Sequence, residues 1–502
     1  MSAAVVIFAC VAYVALLFLV AWYADLRSSQ GRSLVNNPYI YSLSLAVYCT
    51  AWTYFGSVGR AATTGFGFLP IYLGPTIMMP LWVIVIRKII LISKSQRINS
   101  VADFISSRYG KSTSLGVLAT LIAVCSIIPY ISIQLKAVAS CFEIMAVHSP
   151  DASILTHNPP VLLDSSFYIS IALAIFTVLF GTRNLDPNER HEGLVAAIAF
   201  ESVLKLVAFL TVGVFVTFGI FNGFGDLFSK GMASPQIANI LSLEGSGLNA
   251  WSWFWLTLLS MFAIILLPRQ FHIAVVENTN PNFTAQAAWI FPLYLLLINI
   301  FVLPIAVGGL LQFPMGTVDP DTFVLSLPLA HGQDLLALFV AIGGFSAATS
   351  MVIVATIALS IMVSNNLVMP LLLQSKRLKE PFRGDVSRTL LQVRRVSIVA
   401  VLLLAYAYFK SVSLSQTLVS IGLISFVGVA QFAPAVFAGL YWKRGTKAGA
   451  MAGLAVGFVI WAITLPLPTL AEAGVLPMQI VENGWFNLDF LKPYNLFGME
   501  GM

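Results

Sequence analysis

Apolar runs long enough to cross a bilayer recur along nearly the whole chain, separated by short polar connections. Their pattern predicts twelve spans, at approximately 3–24, 40–59, 68–92, 115–146, 166–181, 193–220, 250–268, 286–311, 334–363, 396–410, 415–441 and 447–466. The stretch Tyr39 to Leu73 departs from a plain apolar helix. Ser42, Ser44, Tyr48, Thr50, Thr53, Tyr54 and Ser57 place hydroxyls along it, and Gly56 and Gly59 loosen its end. Irregular backbone survives in hydrocarbon only where it lines a cavity or is buried in protein. Gly-interrupted spans are the sequence-level pointer to a transporter's binding site. From this segment alone, an ordinary buried helix whose hydroxyls bond back to their own carbonyls reads equally well.

Composition fixes the class. Of 502 residues, 58% are hydrophobic and 10% charged, against roughly 25% charged in ordinary globular domains. The mean hydropathy is +0.89, and the expectation is an all-α polytopic membrane protein. Cys10, Cys49, Cys125 and Cys141 lie in apolar segments with no metal-ligand spacing, so they read as small buried hydrophobes. The first segment, Ser2 to Ala24, lacks a basic n-region and a cleavage site, so it reads as a retained helix rather than a signal peptide.

The net charge of +6 would suggest nucleic acid or anionic partners in a soluble protein; here it is topology, and no nucleic acid is expected. With the amino terminus outside, Arg27/Arg32, Arg87 to Lys111, Arg183/Arg190, Arg269, Lys376 to Arg395 and Lys443 to Lys447 fall on one side, and these hold 21 of the 27 basic residues. The expected location is a bacterial inner membrane, crossed many times. Twelve spans return the chain to the outside, so Leu467 to Met502 reads as exterior, with a tail like the run-up to a thirteenth helix. Ser100 and Asp103 match a short-acid capping box for a small helix whose basic residues would meet lipid head groups.

The most specific stretch is Ser420 to Gly457, SIGLISFVGVAQFAPAVFAGLYWKRGTKAGAMAGLAVG. Gly449, Gly453 and Gly457 form a small-residue stripe suited to close helix packing. The ordered series FAPA, GLYWKR and GTKAGAMAG resembles the sodium/solute symporter family of proline, pantothenate and sugar symporters. Within it, the chain looks most similar to the transporter-like amino-terminal module of bacterial sensor histidine kinases. That likeness rests on SLSLAVYCTAWTYFGSVG, GTRNLDPNERHEGLVAAIAFESVLKLVAF, LLPRQFHIAVVEN and GGFSAATSMVIVATIALSIMVSNNLVMP. The resemblance implies two inverted five-helix repeats of the leucine-transporter type, spans two to six and seven to eleven, preceded by one extra helix. In residues, it implies 1–24 as the extra helix, 40–220 and 250–441 as the repeats, and 447–502 as a peripheral helix and tail.

It also implies a sodium site between a broken first core helix and the eighth, with carbonyls of Ala46 and Cys49 facing Ala347, Ser350 and Met351. Met351 departs from the family's paired hydroxyls, and a thioether is a poor ligand for a hard cation; Thr349 beside it would restore a Thr-Ser pair after a one-residue slip. Tyr48 stands where proline symporters carry an acidic residue. Tyr48, Trp52, Tyr54 and Gln134 are the expected substrate lining, Trp52 matching a tryptophan of the proline symporters. An aromatic wall with a few amides and hydroxyls suits an amino acid such as histidine or proline.

Lys205 and Glu201 lie one turn apart inside the sixth span. Ionisable groups at such depth default to functional candidates. They read either as a structural i, i+4 pair or as a coupling device in which the Lys205 ammonium replaces sodium and exchanges a proton. Lys136 reads as snorkelling outward, with a cavity beside Gln134 as the alternative. His272 and Glu277 lack the second histidine of HExxH and suggest a gate with Arg269 and Asp186/Glu189. His191 and Glu192 read as caps. The expected function is cation-coupled transport of a small solute by sodium or proton, without catalysis. The alternative is a sensing module partnered by a histidine kinase domain or response regulator.

Overall fold

A computed structural model describes residues 3–147, 160–181, 191–242, 249–314, 316–374, 386–413, 417–496 and 499–500. Among the described residues the chain is all-α apart from one two-residue ladder, Asn495–Leu496 with Met499–Glu500. The spans are α1 (Ala3–Ser29), α2 (38–64, in four pieces), α3 (Pro70–Gln96), α4 (Thr113–Ala146), α5 (Ser165–Gly181) and α6 (Glu192–Ile220). There follow α7 (Ala250–Leu266 with Pro268–Val276), α8 (Phe283–Gln312), α9 (Asp334–Leu372), α10 (Arg388–Val412), α11 (Leu418–Tyr441) and α12 (Lys447–Glu472). Among the described residues nine are long, unbroken and apolar enough to cross a membrane; α7 qualifies only as a bent pair. The chain is a multi-pass membrane protein.

Two spans are broken, and the sequence shows why. In α2 the helix Pro38–Ser44, capped by the Asn37 side chain, tightens into a 3-10 turn at Leu45–Tyr48 and unwinds at Cys49. It restarts as a wide π turn, Trp52–Gly56, before Ser57–Thr64. In α7, Leu267 adopts extended backbone before Pro268, whose missing N–H suits a helix start, and the two halves meet at 50°.

Around these breaks the burial is uneven. Nearly all of α9 is inside the bundle, with α4, α6 and α10 packed on it, whereas α12 is largely exposed at the periphery. α12 hangs on α11 through Trp461 Nε1, which donates to Ile424 O at 2.9 Å. The expected glycine packing stripe is used at one position: a Cβ on Gly457 would come within 3.1 Å of Gln431 of α11, whereas one on Gly453 would meet open space and one on Gly449 only its own cap.

The Ser100 cap forms as its residues predict, the hydroxyl accepting from Asp103 N–H at 3.1 Å. That short helix is bound to protein: Asn366 donates to Asp103 at 2.9 Å, Arg108 Nε to Gly439 O at 2.9 Å, and Tyr109 to Ala435 O at 3.0 Å. It ties the ends of α9 and α11 together on one side of the bundle.

Candidate functional site

The break in α2 frees backbone carbonyls inside the protein, and orphan carbonyls must be met. Lys205 of α6 meets them. Its ammonium donates to Ala46 O and to Cys49 O, both at 2.7 Å, and the side chain is completely buried. These are the two carbonyls that the family resemblance offers to sodium. Glu201 does not close on Lys205: its Oε1 accepts from Tyr13 of α1 and from Thr349 of α9, each at 3.0 Å. Ser346 also donates to the Glu201 carbonyl at 3.3 Å. The i, i+4 spacing thus serves three helices rather than a pair on one.

On α9, Ala347, Thr349, Ser350 and Met351 are all buried. The Ser350 hydroxyl bonds back to Ala347 O at 3.4 Å, and Thr349 is engaged with Glu201. A sodium ion at Ala46 O and Cys49 O would have to displace the ammonium that already holds them.

Beside the break lies an aromatic cluster. The Trp52 ring stands edge-on to Phe426 at 4.7 Å and to Tyr130 at 5.8 Å, and Tyr130 stacks on Phe426 at 5.9 Å. Gly422 leaves room for Trp52, since a Cβ there would come within 3.0 Å of the indole. Tyr48 joins through Phe426 and Phe291, while its hydroxyl is spent on Ile71 O at 2.9 Å.

Gln134 serves the backbone: its Oε1 accepts from Ala51 N–H at 3.1 Å and its amide donates to Tyr130 O at 3.3 Å. Tyr54 points elsewhere, donating to Val340 O at 3.0 Å and packing on Phe209. The structure therefore brings Tyr48 and Trp52 together, gives Gln134 to capping the helix restart, and directs Tyr54 toward α9.

The second break departs most from expectation. Arg269, assigned by charge to a basic loop, is 1% exposed and lies with its Cζ 4.3 Å from the Tyr130 ring centroid. The Pro268 bend turns the residues that follow it back into the bundle. The acidic loop Asp186/Glu189 proposed to meet Arg269 lies outside the described residues. Tyr13 and Tyr130 carried no functional reading from the sequence, and Arg269 only that of a gate. The available signal was Pro-Arg-Gln-Phe-His directly after a long apolar run.

No family model matches the chain. It is 24% identical over 484 residues to YhjB, an uncharacterized symporter of Bacillus subtilis (strain 168), covering 91% of this chain and 88% of that one. Among solved structures it resembles a Na+-coupled sialic acid symporter in a substrate-bound outward-open state, with TM-score 0.63, 15% identity, and coverage of 94% of this chain and 96% of that one. The chain has a transporter fold. A mutant of the Eremococcus coleocola manganese transporter matches at TM-score 0.51 and 14% identity, covering 91% and 92%.

At either end of this transporter fold sits a buried polar cluster. Lys136 of α4, half-buried, lines a small cavity with Asp319 and Asp321. Burial and the charge of Asp319 push Asp321 up to about 7, against the pull of Lys136. Asp321 also reaches α11 by accepting from Leu418 N–H at 3.4 Å, and any side chain on Gly59 would collide with its carboxylate.

At the other end, Glu277 Oε1 lies 2.9 Å from His191 Nδ1 and 3.2 Å from His272 Nε2, and its Oε2 accepts from His191 N–H at 3.1 Å. His191 thus ties α6 to the end of α7 instead of capping its own helix. Glu192 is taken by Ser33 at 2.6 Å, and Asp25 of α1 accepts from Gly193 N–H at 2.7 Å. The ligand atoms of His191, His272 and Glu277 lie within 4.8 Å of one another. A metal ion there would have to displace contacts the three already make.

Proposed function

We propose that the protein is a secondary active symporter of a small organic solute in which the ammonium of Lys205 stands where related carriers hold sodium, and a proton is the coupling ion. The observation that carries this reading is the pair of 2.7 Å hydrogen bonds from Lys205 to Ala46 O and Cys49 O. A charged lysine locks the broken helix to α6. A deprotonated one can no longer hold both carbonyls as an ammonium does, so proton loss and helix release are linked. Residues 40–220 and 250–441 are taken as the two repeats that move against each other. The solute is placed beside Trp52 and Tyr48, and an amino acid such as histidine or proline fits that aromatic wall. YhjB's designation as a symporter supports the class, and the sialic acid symporter's sodium coupling keeps sodium as the competing ion.

The test is radiolabelled histidine and proline uptake into proteoliposomes under separately imposed proton and sodium gradients. Uptake driven by a proton gradient and abolished in Lys205→Met supports the reading. Uptake driven by sodium alone, or left unchanged by Lys205→Met, overturns it. Binding without uptake under either gradient would return the chain to the sensing-module alternative.

A further inference from the structure

Arg269 presents a physical problem that nothing else in the described structure solves. Its Nε, Nη1 and Nη2 are all buried, and none has a hydrogen-bond partner among the described residues. Burying a charge without hydrogen-bonded compensation is among the largest penalties a fold can carry. The face of the guanidinium rests on Tyr130, where the negative face of the ring attracts the cation. That contact uses the face and leaves the five in-plane N–H donors unmet.

The buried acids do not supply the missing acceptor. Glu201 is held by Tyr13 and Thr349, Glu277 by the two histidines, Asp164 by Lys410 and Tyr406, and Asp321 lines the cavity of Lys136. Instead Arg269 lies within electrostatic reach of Lys205, a second buried cation. The space between the two breaks is therefore short of negative charge.

We propose that Arg269 is the substrate's anion-binding group: the solute carries a carboxylate that docks in the plane of its guanidinium, beside Tyr130 and Trp52 at the break of α7. A planar two-oxygen anion matches the fork of an arginine with two parallel hydrogen bonds, which a spherical anion cannot do. The adjoining rings of Trp52, Tyr130 and Phe426 suit a small apolar body attached to that carboxylate. The proposal deepens the symport reading by naming its substrate class, and it rests on that reading only for transport, not for binding.

The experiment uses the full chain in nanodiscs and the variants Arg269→Gln and Arg269→Lys. Thermal stability and equilibrium binding are measured with proline, histidine, lactate and acetate, each against its uncharged amide, and with chloride and inorganic phosphate. A monocarboxylate should stabilise the wild type while its amide does not. Arg269→Gln should lower that affinity roughly 30-fold or more, with Arg269→Lys between the two.

Without ligand, Arg269→Gln should melt no lower than the wild type, because it removes an uncompensated charge. The amide binding as well as the acid, unchanged affinity in Arg269→Gln, or equal stabilisation by chloride or phosphate would each overturn the proposal, as would a panel in which no carboxylate binds. Carboxylate binding that depends on Arg269 without uptake would sink the transport reading and leave this one standing. Uptake with unchanged affinity in Arg269→Gln would do the reverse.

Discussion

In α2 the carbonyls freed at the break each meet the Lys205 ammonium at 2.7 Å, whereas in α7 the guanidinium brought in by the break meets no acceptor among the described residues. Both breaks carry polar groups into the bundle. One is closed by a side chain of the protein itself. The other is left in need of a partner. An internally satisfied break is a latch, released when its own cation changes state; an unsatisfied one is a receptor, completed by something that arrives and leaves.

The sharpest way to break that comparison is to empty the latch. Lys205→Ala removes the ammonium; Ala46 O keeps its bond from Cys49 N–H at 3.0 Å, but Cys49 O is left buried, and an unpaired carbonyl costs about 1–3 kcal/mol. Proton-driven uptake should vanish, and sodium should now stabilise the variant more than potassium does, since oxygen ligands around a vacated cation position suit it. A melting temperature indifferent to sodium, together with retained uptake, would show that the carbonyls never needed a cation.

Glu201→Gln probes the same latch more gently. The amide oxygen can still accept from Tyr13 and Thr349, so α1, α6 and α9 should stay joined. The negative charge one turn from Lys205 is lost, and the pH at which uptake is half-maximal should move. The expected loss in rate is about tenfold, near 1.4 kcal/mol. A pH profile that superimposes on the wild type would remove Glu201 from the coupling device.

Smaller again is the effect of filling the space under Trp52. Gly422→Ala places a methyl group 3.0 Å from the indole, and overpacking of this kind costs about 1–3 kcal/mol. If Trp52 is part of the solute's wall, affinity should fall several-fold and proton-driven turnover at saturation much less. A fall in turnover alone would place Trp52 in the helix movement instead.

The legible and illegible parts divide along physical lines. Span count came from long apolar runs, because a bilayer demands them, and the break of α2 came from its hydroxyls and glycines. Lys205 was legible as an alternative because a lysine amid AFESVLKLVAF has nowhere cheap to go. Arg269 was misplaced for the same reason that the spans were right: charge at the end of an apolar run reads as the end of the membrane. The Pro268 bend reverses that logic, and a bend is a property of the whole bundle. The acids beside Lys136 were not legible, since they are almost two hundred residues away in sequence. Tyr54 and Gln134 showed their chemistry but not their direction, and α9 and the restart of α2 took them up.

At the far end of the broken α7, Glu277 gathers His191 and His272. Burial pushes His191 down, but the hydrogen bond and charge of Glu277 outweigh it and hold the imidazole above its ordinary value of 6.5, with Arg394 opposing and Asp25 assisting. Glu277 is held well below its ordinary 4.5 by the two histidines, against the effect of burial. The contribution of His191 is therefore fully present below 6.5 and lost as pH rises through its raised value. That of Glu277 is present above 4.5 and lost only in stronger acid. The tie between α6 and α7 should be tightest in mildly acidic conditions and loosen on the alkaline side. Comparing melting temperatures of the wild type and His191→Gln from about pH 5.5 to about pH 8.5 should show a difference of about 1 kcal/mol at the acid end, shrinking as pH rises. A difference that does not vary with pH would mean that His191 holds the helices together by packing, and that the receptor break has no titrating lock beneath it.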